Sequence, residues 1–226
     1  MENRFETYFK RKDQILPSTK WHHYLEIYEK HFNRFVNKSP TILEIGVFDG
    51  GSMELWNYYF GKGSKIYGVD IDERCLEVPN ILNVDNIQVD IGDQGSVEFW
   101  KNYLKDKPKF DIVIEDGGHR PDQQITTFML LFNHLNDDGI YLCEDLHTNY
   151  WEEYGGGYKK SDTFIEFSKN MIDGLNSQYI REDIPDIEVL KKFRATTKSV
   201  NFYDSVVVFE KGKIKKSHEI STKTYE

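Results

Sequence analysis

The sequence predicts an α/β protein: a seven-stranded sheet, mostly parallel, with helices on both faces and an antiparallel β-hairpin at its C-terminal end. Three features lead there. From residue 41 onward, short and almost continuously apolar runs alternate with amphipathic stretches, and strands apolar on both sides belong to parallel sheets covered by helices. The runs end in turns rich in glycine and acids, the rim at which open α/β sheets bind ligands. The last two strand-like stretches, 199–203 and 206–210, have only Asp204 and Ser205 between them. That gap holds no crossover helix, so the pair is antiparallel.

Residues 1–40 read as an N-terminal helical segment that contributes to the acceptor site. In KWHHYLEIYEKHFNRF the apolar Trp21, Tyr24, Leu25, Tyr28, Phe32 and Phe35 recur every three or four residues, until Ser39-Pro40 breaks the pattern. Strands are expected at 41–47 (TILEIGV), 65–70 (KIYGVD), 86–91, 110–114 (FDIVI) and 139–143 (GIYLC). Helices are expected at 52–60, at 96–104 and at 121–135, the last with Pro121 in its first turn and Ile125, Phe128, Met129, Phe132 and Leu135 on one face. Asn136-Asp137-Asp138-Gly139 ends that helix and opens the next strand. A further helix at 161–175 is amphipathic through Phe164, Phe167, Met171, Ile172 and Leu175. Residues 41–211 thus form the main domain, and 212–226 a loose, basic tail.

The 226 residues suit one domain with a full core. With 29 Lys and Arg against 38 Asp and Glu, the net charge of −9 and the missing basic stripe exclude nucleic acid as the main partner. Fifteen Phe, fourteen Tyr and four Trp separate the chain from acidic disordered sequences. No apolar run approaches the roughly 18 residues of a membrane span, and MENRFETYFKRKD has no apolar leader core. Cys75 and Cys143 are too few and too far apart for a disulfide framework. A cytoplasmic setting is expected, and a homo-oligomer is compatible with everything here.

The first strand runs into Glu44-Ile45-Gly46-Val47-Phe48-Asp49-Gly50-Gly51-Ser52 and then a helix. Glycines at such a turn let a ligand approach the backbone and free the helix N-terminal amides. The dinucleotide fingerprint G-x-G-x-x-G is absent, with Phe48 in the place of its second glycine, so a pyrophosphate fits poorly. A smaller, uncharged or cationic group fits better, and Glu44 suits an ammonium or sulfonium. Asp70 ends the second strand nineteen residues beyond Gly51, the place of a ribose-binding acid. After the third strand, Asp93 and Gln94 suit an adenine amino group. Together these favour an adenosyl ligand over isolated turns and helix caps. E-I-G-V-F-D-G-G-S, G-V-D-I-D and G-D-Q resemble the class I S-adenosylmethionine-dependent methyltransferases, whose Rossmann-like sheet also closes with an antiparallel hairpin. The cofactor-binding candidates are Glu44, Gly46, Phe48, Ser52, Asp70, Asp93, Gln94 and Glu115.

The fourth strand ends in Glu115-Asp116-Gly117-Gly118-His119-Arg120 and the fifth in Cys143-Glu144-Asp145-Leu146-His147-Thr148. Both clusters project over one rim, where carboxylates repel unless a cation neutralises them. Oxygen ligands suit Mg²⁺, with Asp116, Glu144 and Asp145 as its candidates. His119 is the candidate base for a substrate hydroxyl. The plainer readings are a turn at Asp116-Gly117-Gly118 and a helix cap at Glu144-Asp145.

E-D-G-G-H, E-D-L-H-T-N-Y-W and Tyr154-Gly155-Gly156-Gly157 resemble the macrocin and mycinamicin type of sugar O-methyltransferase, as does K-W-H-H-Y-L-E-I-Y-E. The resemblance implies a divalent metal on Asp116, Glu144 and Asp145, with Asp116 and His119 catalytic and His119 taking the proton. Two positions depart from the family pattern: Glu115 stands for its Asp, and Gly118 for its Ser. The expected acceptor is a sugar hydroxyl of a glycoside or glycan, such as a deoxysugar like rhamnose. Tyr24, His147, Tyr150 and Trp151 are the candidates to face it. The competing readings are a catechol or phenol O-methyltransferase, a nicotinamide-dependent sugar epimerase or dehydrogenase, and a silent adenosyl-binding module.

Overall fold

The computed structural model describes residues 3–214 and 218–222. Part of the basic tail expected at 212–226 therefore lies outside the described residues. Strands β1 (Thr41–Ile45), β2 (Lys65–Asp70), β3 (Ile87–Ile91), β4 (Phe110–Glu115), β5 (Leu135–Cys143), β6 (Thr197–Tyr203) and β7 (Val206–Lys211) form one sheet in the order β3-β2-β1-β4-β5-β7-β6. β1 to β5 pair in parallel, while β7 lies antiparallel to both β5 and β6. The order reverses between β1 and β4, so their ends open the crevice in which such sheets bind ligands.

Side-chain alternation along the strands divides the core into two layers. Ile42, Ile112 and Ile114 face helices α1 (Arg4–Lys10), α2 (Tyr24–Phe32) and α3 (Gly51–Phe60). That layer is dense in rings: Phe5 stacks on Tyr59 at 3.8 Å, and Trp56 meets Phe5, Tyr28 and Phe32 edge-on. Leu43, Ile45 and Val113 face the opposite layer, which holds Trp100 of α5 (Val97–Tyr103), Phe128 and Leu131 of α6 (Pro121–Leu131), and Phe164 of α7 (Phe164–Leu175). The N-terminal segment thus packs into the same core as the sheet. α4 (Val78–Leu82) and α8 (Ile187–Thr196), both unanticipated from the sequence, complete the helices.

Several expectations shift. The helix expected through the first forty residues is broken between Lys10 and Tyr24, where Pro17 interrupts and Glu54 takes the amides of Ile15 and Leu16. Trp21 precedes α2 and is 57% exposed, so it is not part of the apolar face. β1 stops at Ile45 rather than Val47 because Gly46 turns to φ +89°. β5 begins at Leu135, and residues 136–139 bulge out between the pairs Phe110–Leu135 and Ile112–Ile140. α6 buries Leu131 and exposes Met129, and α7 exposes Ile172, so the buried stripes are rotated from the expected ones.

Candidate active site

The turn after β1 shapes the first half of the site. Gly46 sits at φ +89°, and a Cβ there would lie 2.1 Å from the carbonyl oxygen of Asp116. The chain therefore needs glycine for β1 and β4 to end side by side. Phe48 is also left-handed at φ 49°, with its side chain 79% exposed. Asp70 fastens the turn: one carboxylate oxygen accepts the amides of Val47 and Phe48 at 2.8 and 2.9 Å, and the other that of Asp72 at 2.9 Å.

A cavity of about 500 Å³ opens over these strand ends. Gly46, Phe48, Ser52, Asp70, Asp93, Gln94, Asp116 and His119 line it, as do residues 17–20 from the N-terminal segment. Residues 17–20 pass so close to α3 that a Cβ on Gly51 would meet the Pro17 oxygen at 2.0 Å. A second cavity, of about 350 Å³, lies beside the first and is lined by Thr19, Lys20, Trp21, His22, Tyr24, Asp116, Glu144 and Asp145. Thr19, Lys20 and Asp116 form the wall that the two share.

Two acids expected at the cofactor lie behind this wall. Glu44 points into the ring-rich layer, fully buried, with Oε2 accepting from the Ser52 hydroxyl at 2.8 Å. Burial pushes its carboxyl up to about 7, against the pull of Lys20. Glu115 is also fully buried, accepting from Gln94 at 2.7 Å and from the Cys143 thiol at 2.9 Å, and burial raises it too. Neither lines the cavity, because strand alternation turns Glu44 and Glu115 into the two opposite core layers. Glu115 reaches the site indirectly: it holds Gln94, whose Oε1 accepts the Gly118 amide at 2.6 Å.

The acidic cluster is bound up with the N-terminal segment. The Tyr28 hydroxyl donates to Glu144 Oε1 at 2.6 Å, and the Tyr24 hydroxyl to Asp145 Oδ1 at 2.8 Å. Lys20 donates to Asp116 Oδ2 and, at 2.8 Å, to Glu144 Oε2. Burial opposes the charge on Lys20, but Asp116, Glu144 and Glu44 outweigh it and hold its pKa well above the ordinary value. Burial drives Glu144 upward, with Lys20 pulling it back. His119 and Asp145 both adopt positive φ, 56° and 54°, and His119 Nε2 lies 3.7 Å from Asp145 Oδ2. Non-glycine residues in this conformation are uncommon and cluster at functional sites.

Among the described residues, one ligand atom each of Asp116, His119 and Asp145 lie within 4.8 Å of one another, close enough to share a cation. The donor set is mainly carboxylate oxygen, which suits a hard divalent ion. Glu144 stands beside this trio, its two oxygens engaged by Tyr28 and Lys20. Of the expected acceptor residues, Tyr24 lines the second cavity, whereas His147 bonds Ser205 at 2.6 Å and packs edge-on against Trp151 at 4.8 Å. Tyr150 and Trp151 are about half exposed and line neither cavity. Lys20 was not anticipated: it lies 96 residues from Asp116 and 124 from Glu144, and the apolar repeat read from Trp21 onward gave it no role.

No family model matches the chain. The 8-demethyl-8-alpha-L-rhamnosyl tetracenomycin-C 2'-O-methyltransferase of Streptomyces olivaceus is 36% identical over 170 residues, 70% of this chain and 43% of that protein. The demethylmacrocin O-methyltransferase of Streptomyces fradiae is 34% identical over 178 residues, 73% of this chain and 43% of that protein. The chain thus spans under half the length of these curated relatives. The MycE methyltransferase of the mycinamycin biosynthetic pathway, solved in complex with Mg, SAH and mycinamycin VI, superposes with a TM-score of 0.75 at 27% identity, covering 93% of this chain and 53% of MycE. The chain is therefore a homologue of the macrocin and mycinamicin type of sugar O-methyltransferases, folded as the Rossmann-like sheet that MycE shares.

Proposed function

We propose that the chain is an S-adenosylmethionine-dependent O-methyltransferase that acts on a sugar hydroxyl with the help of a divalent cation, Mg²⁺ by analogy with MycE. The observation that carries this reading is the pair of adjoining cavities with Asp116 in their shared wall and His119 beside it. The larger takes the cofactor: Asp70 faces its ribose, and Asp93 and Gln94 its adenine. The smaller takes the sugar against Tyr24 and its neighbours. When bound, the cation lowers the pKa of a coordinated hydroxyl, and Asp116, Glu144 and Asp145 are the carboxylates that hold it. His119 Nε2 takes the hydroxyl proton. The sugar oxygen forms its bond to the sulfonium methyl as the sulfur–methyl bond breaks, leaving S-adenosylhomocysteine. What the protein contributes to this displacement is positioning and charge.

The name of one relative carries a rhamnosyl group on tetracenomycin C, methylated at its 2' oxygen. A deoxysugar such as rhamnose is therefore the acceptor class favoured over a catechol or phenol. A nicotinamide-dependent epimerase is disfavoured by Phe48 in the first turn and by the methyltransferase relatives. Among the described residues no helix is long and apolar enough to cross a membrane, and Cys75 and Cys143 are free and buried. A methyl-transfer screen against rhamnosides and other glycosides, read by mass shift with Mg²⁺ present, should show one added methyl on a sugar. Transfer to catechols but to no glycoside would overturn the acceptor assignment. Calorimetry that detects neither S-adenosylmethionine nor S-adenosylhomocysteine would overturn the reading as a whole.

A further inference from the structure

The motif residues from Thr148 to Gly157 have no task in the reaction outlined above. Tyr150 and Trp151 line neither cavity, and neither does Thr148, which is 2% exposed. The Thr148 hydroxyl instead bridges the two loops that carry the chemistry. Its Oγ1 lies 3.0 Å from the His119 carbonyl oxygen, on the loop after β4, and 2.7 Å from that of Asp145, on the loop after β5. The single hydrogen is shared between them in a three-centre bond. The Asp145 carbonyl also accepts the Thr148 amide at 3.0 Å, whereas the His119 carbonyl has only the hydroxyl as donor among the described residues. His119 and Asp145 are both left-handed, at φ 56° and 54°, and such residues persist only where their surroundings hold them. Thr148 is itself held through its neighbour. Asn149, 1% exposed, donates to Gln124 of α6 at 2.8 Å and accepts the Ile165 amide of α7 at 3.1 Å, and its carbonyl takes the Gly157 amide at 2.8 Å.

We propose that Thr148 is a positioning residue that sets the base against the cation site. Its hydroxyl fixes the carbonyls of His119 and Asp145, and thereby the 3.7 Å between His119 Nε2 and Asp145 Oδ2. Holding a carbonyl oxygen constrains the peptide plane at whose edge the residue's Cα lies, and so the direction in which its side chain leaves. On the other flank of the β4 loop, Gln94 accepts the Gly118 amide at 2.6 Å, so the loop of Asp116 and His119 is fastened from both sides. Without the hydroxyl, the His119 carbonyl turns toward another donor, the residue leaves its left-handed conformation, and the ring shifts away from Asp145. Contacts that orient the groups touching a metal govern its affinity, and a displaced base is felt in the rate. The inference rests on the proposed function, in which Asp145 helps to hold the cation and His119 takes the proton.

The test is calorimetry with Mn²⁺ and with S-adenosylhomocysteine on the full chain, on Thr148→Val, which keeps the shape and loses the donor, and on Thr148→Ser, which keeps the donor. Methyl transfer to rhamnosides is followed on the same proteins, and Mn²⁺ binding decides alone should the parent methylate none of them. Thr148→Val should bind Mn²⁺ about tenfold more weakly and lower kcat about tenfold to a hundredfold, with S-adenosylhomocysteine affinity and the KM for S-adenosylmethionine within about twofold of the parent. Thr148→Ser should restore both Mn²⁺ binding and kcat. Thr148→Ala replaces the valine variant should that one fail to fold, as judged by near-ultraviolet circular dichroism. Unchanged Mn²⁺ binding by the valine variant overturns the positioning role and leaves the proposed function standing. So does equal impairment of the valine and serine variants, and so does a loss of S-adenosylhomocysteine affinity as large as the loss for Mn²⁺. No Mn²⁺ binding by the parent overturns the metal and the positioning role together.

Discussion

Replacing Glu44 by Gln should change how the stability of this protein depends on pH. Glu44 lies on β1 facing the ring-rich layer, fully buried, with Ser52 donating to one oxygen at 2.8 Å and the indole N–H of Trp56 beside the carboxyl. Burial lifts its carboxyl from the ordinary 4.5 to about 7. At about 1.4 kcal/mol per pH unit, that difference corresponds to about 3 kcal/mol. The folded chain holds a proton that the unfolded chain releases. The stabilisation is therefore complete below the unfolded value of 4.5 and is lost as pH rises through about 7. Gln does not titrate there, and whatever constant cost the amide carries cancels when the two proteins are compared across pH. Urea unfolding of both, at closely spaced pH values from about 4.5 to 8, should show the variant gaining about 3 kcal/mol on the parent over that range. Two stability curves that stay parallel would refute the buried, proton-holding carboxyl.

Two further perturbations probe the site itself. Gly46→Ala forces a side chain at φ +89° into contact with the Asp116 carbonyl at 2.1 Å, so thermal melting should reveal a loss of about 1–3 kcal/mol or more and calorimetry a loss of cofactor affinity; a variant as stable as its parent would show that the turn has room to spare. His119→Ala should lower methyl transfer by about a hundredfold to ten-thousandfold, with a much smaller loss of S-adenosylhomocysteine affinity, on the proposed role of the ring as base at the edge of the larger cavity; unchanged turnover would place the base elsewhere.

The sequence by itself determined the sheet and its rim. Apolar runs of strand length, separated by helical stripes, admit few arrangements other than a parallel sheet. The two-residue link at Asp204-Ser205 forced the closing hairpin, seen as the antiparallel β6–β7 pair. Because ligands gather at the carboxyl ends of such strands, the acids at the ends of β2, β4 and β5 were site candidates on the sequence alone. Local sequence also separated Gly46 and Gly50-Gly51 from a dinucleotide fingerprint.

Only the tertiary structure decided which of those acids line a cavity. One residue of strand alternation separates Asp116, in the cavity wall, from Glu115, sealed behind Gln94 and Cys143. Glu44 is hidden in the same way, under α3. The clasp of Lys20, Tyr24 and Tyr28 on Asp116, Glu144 and Asp145 joins positions 96 to 124 residues apart. Tyr24 and Tyr28 belong to the apolar repeat of α2, which names no partner, and Lys20, a long side chain in an irregular segment, obeys no repeat at all. Its partners are set by where the packed helices and sheet bring it.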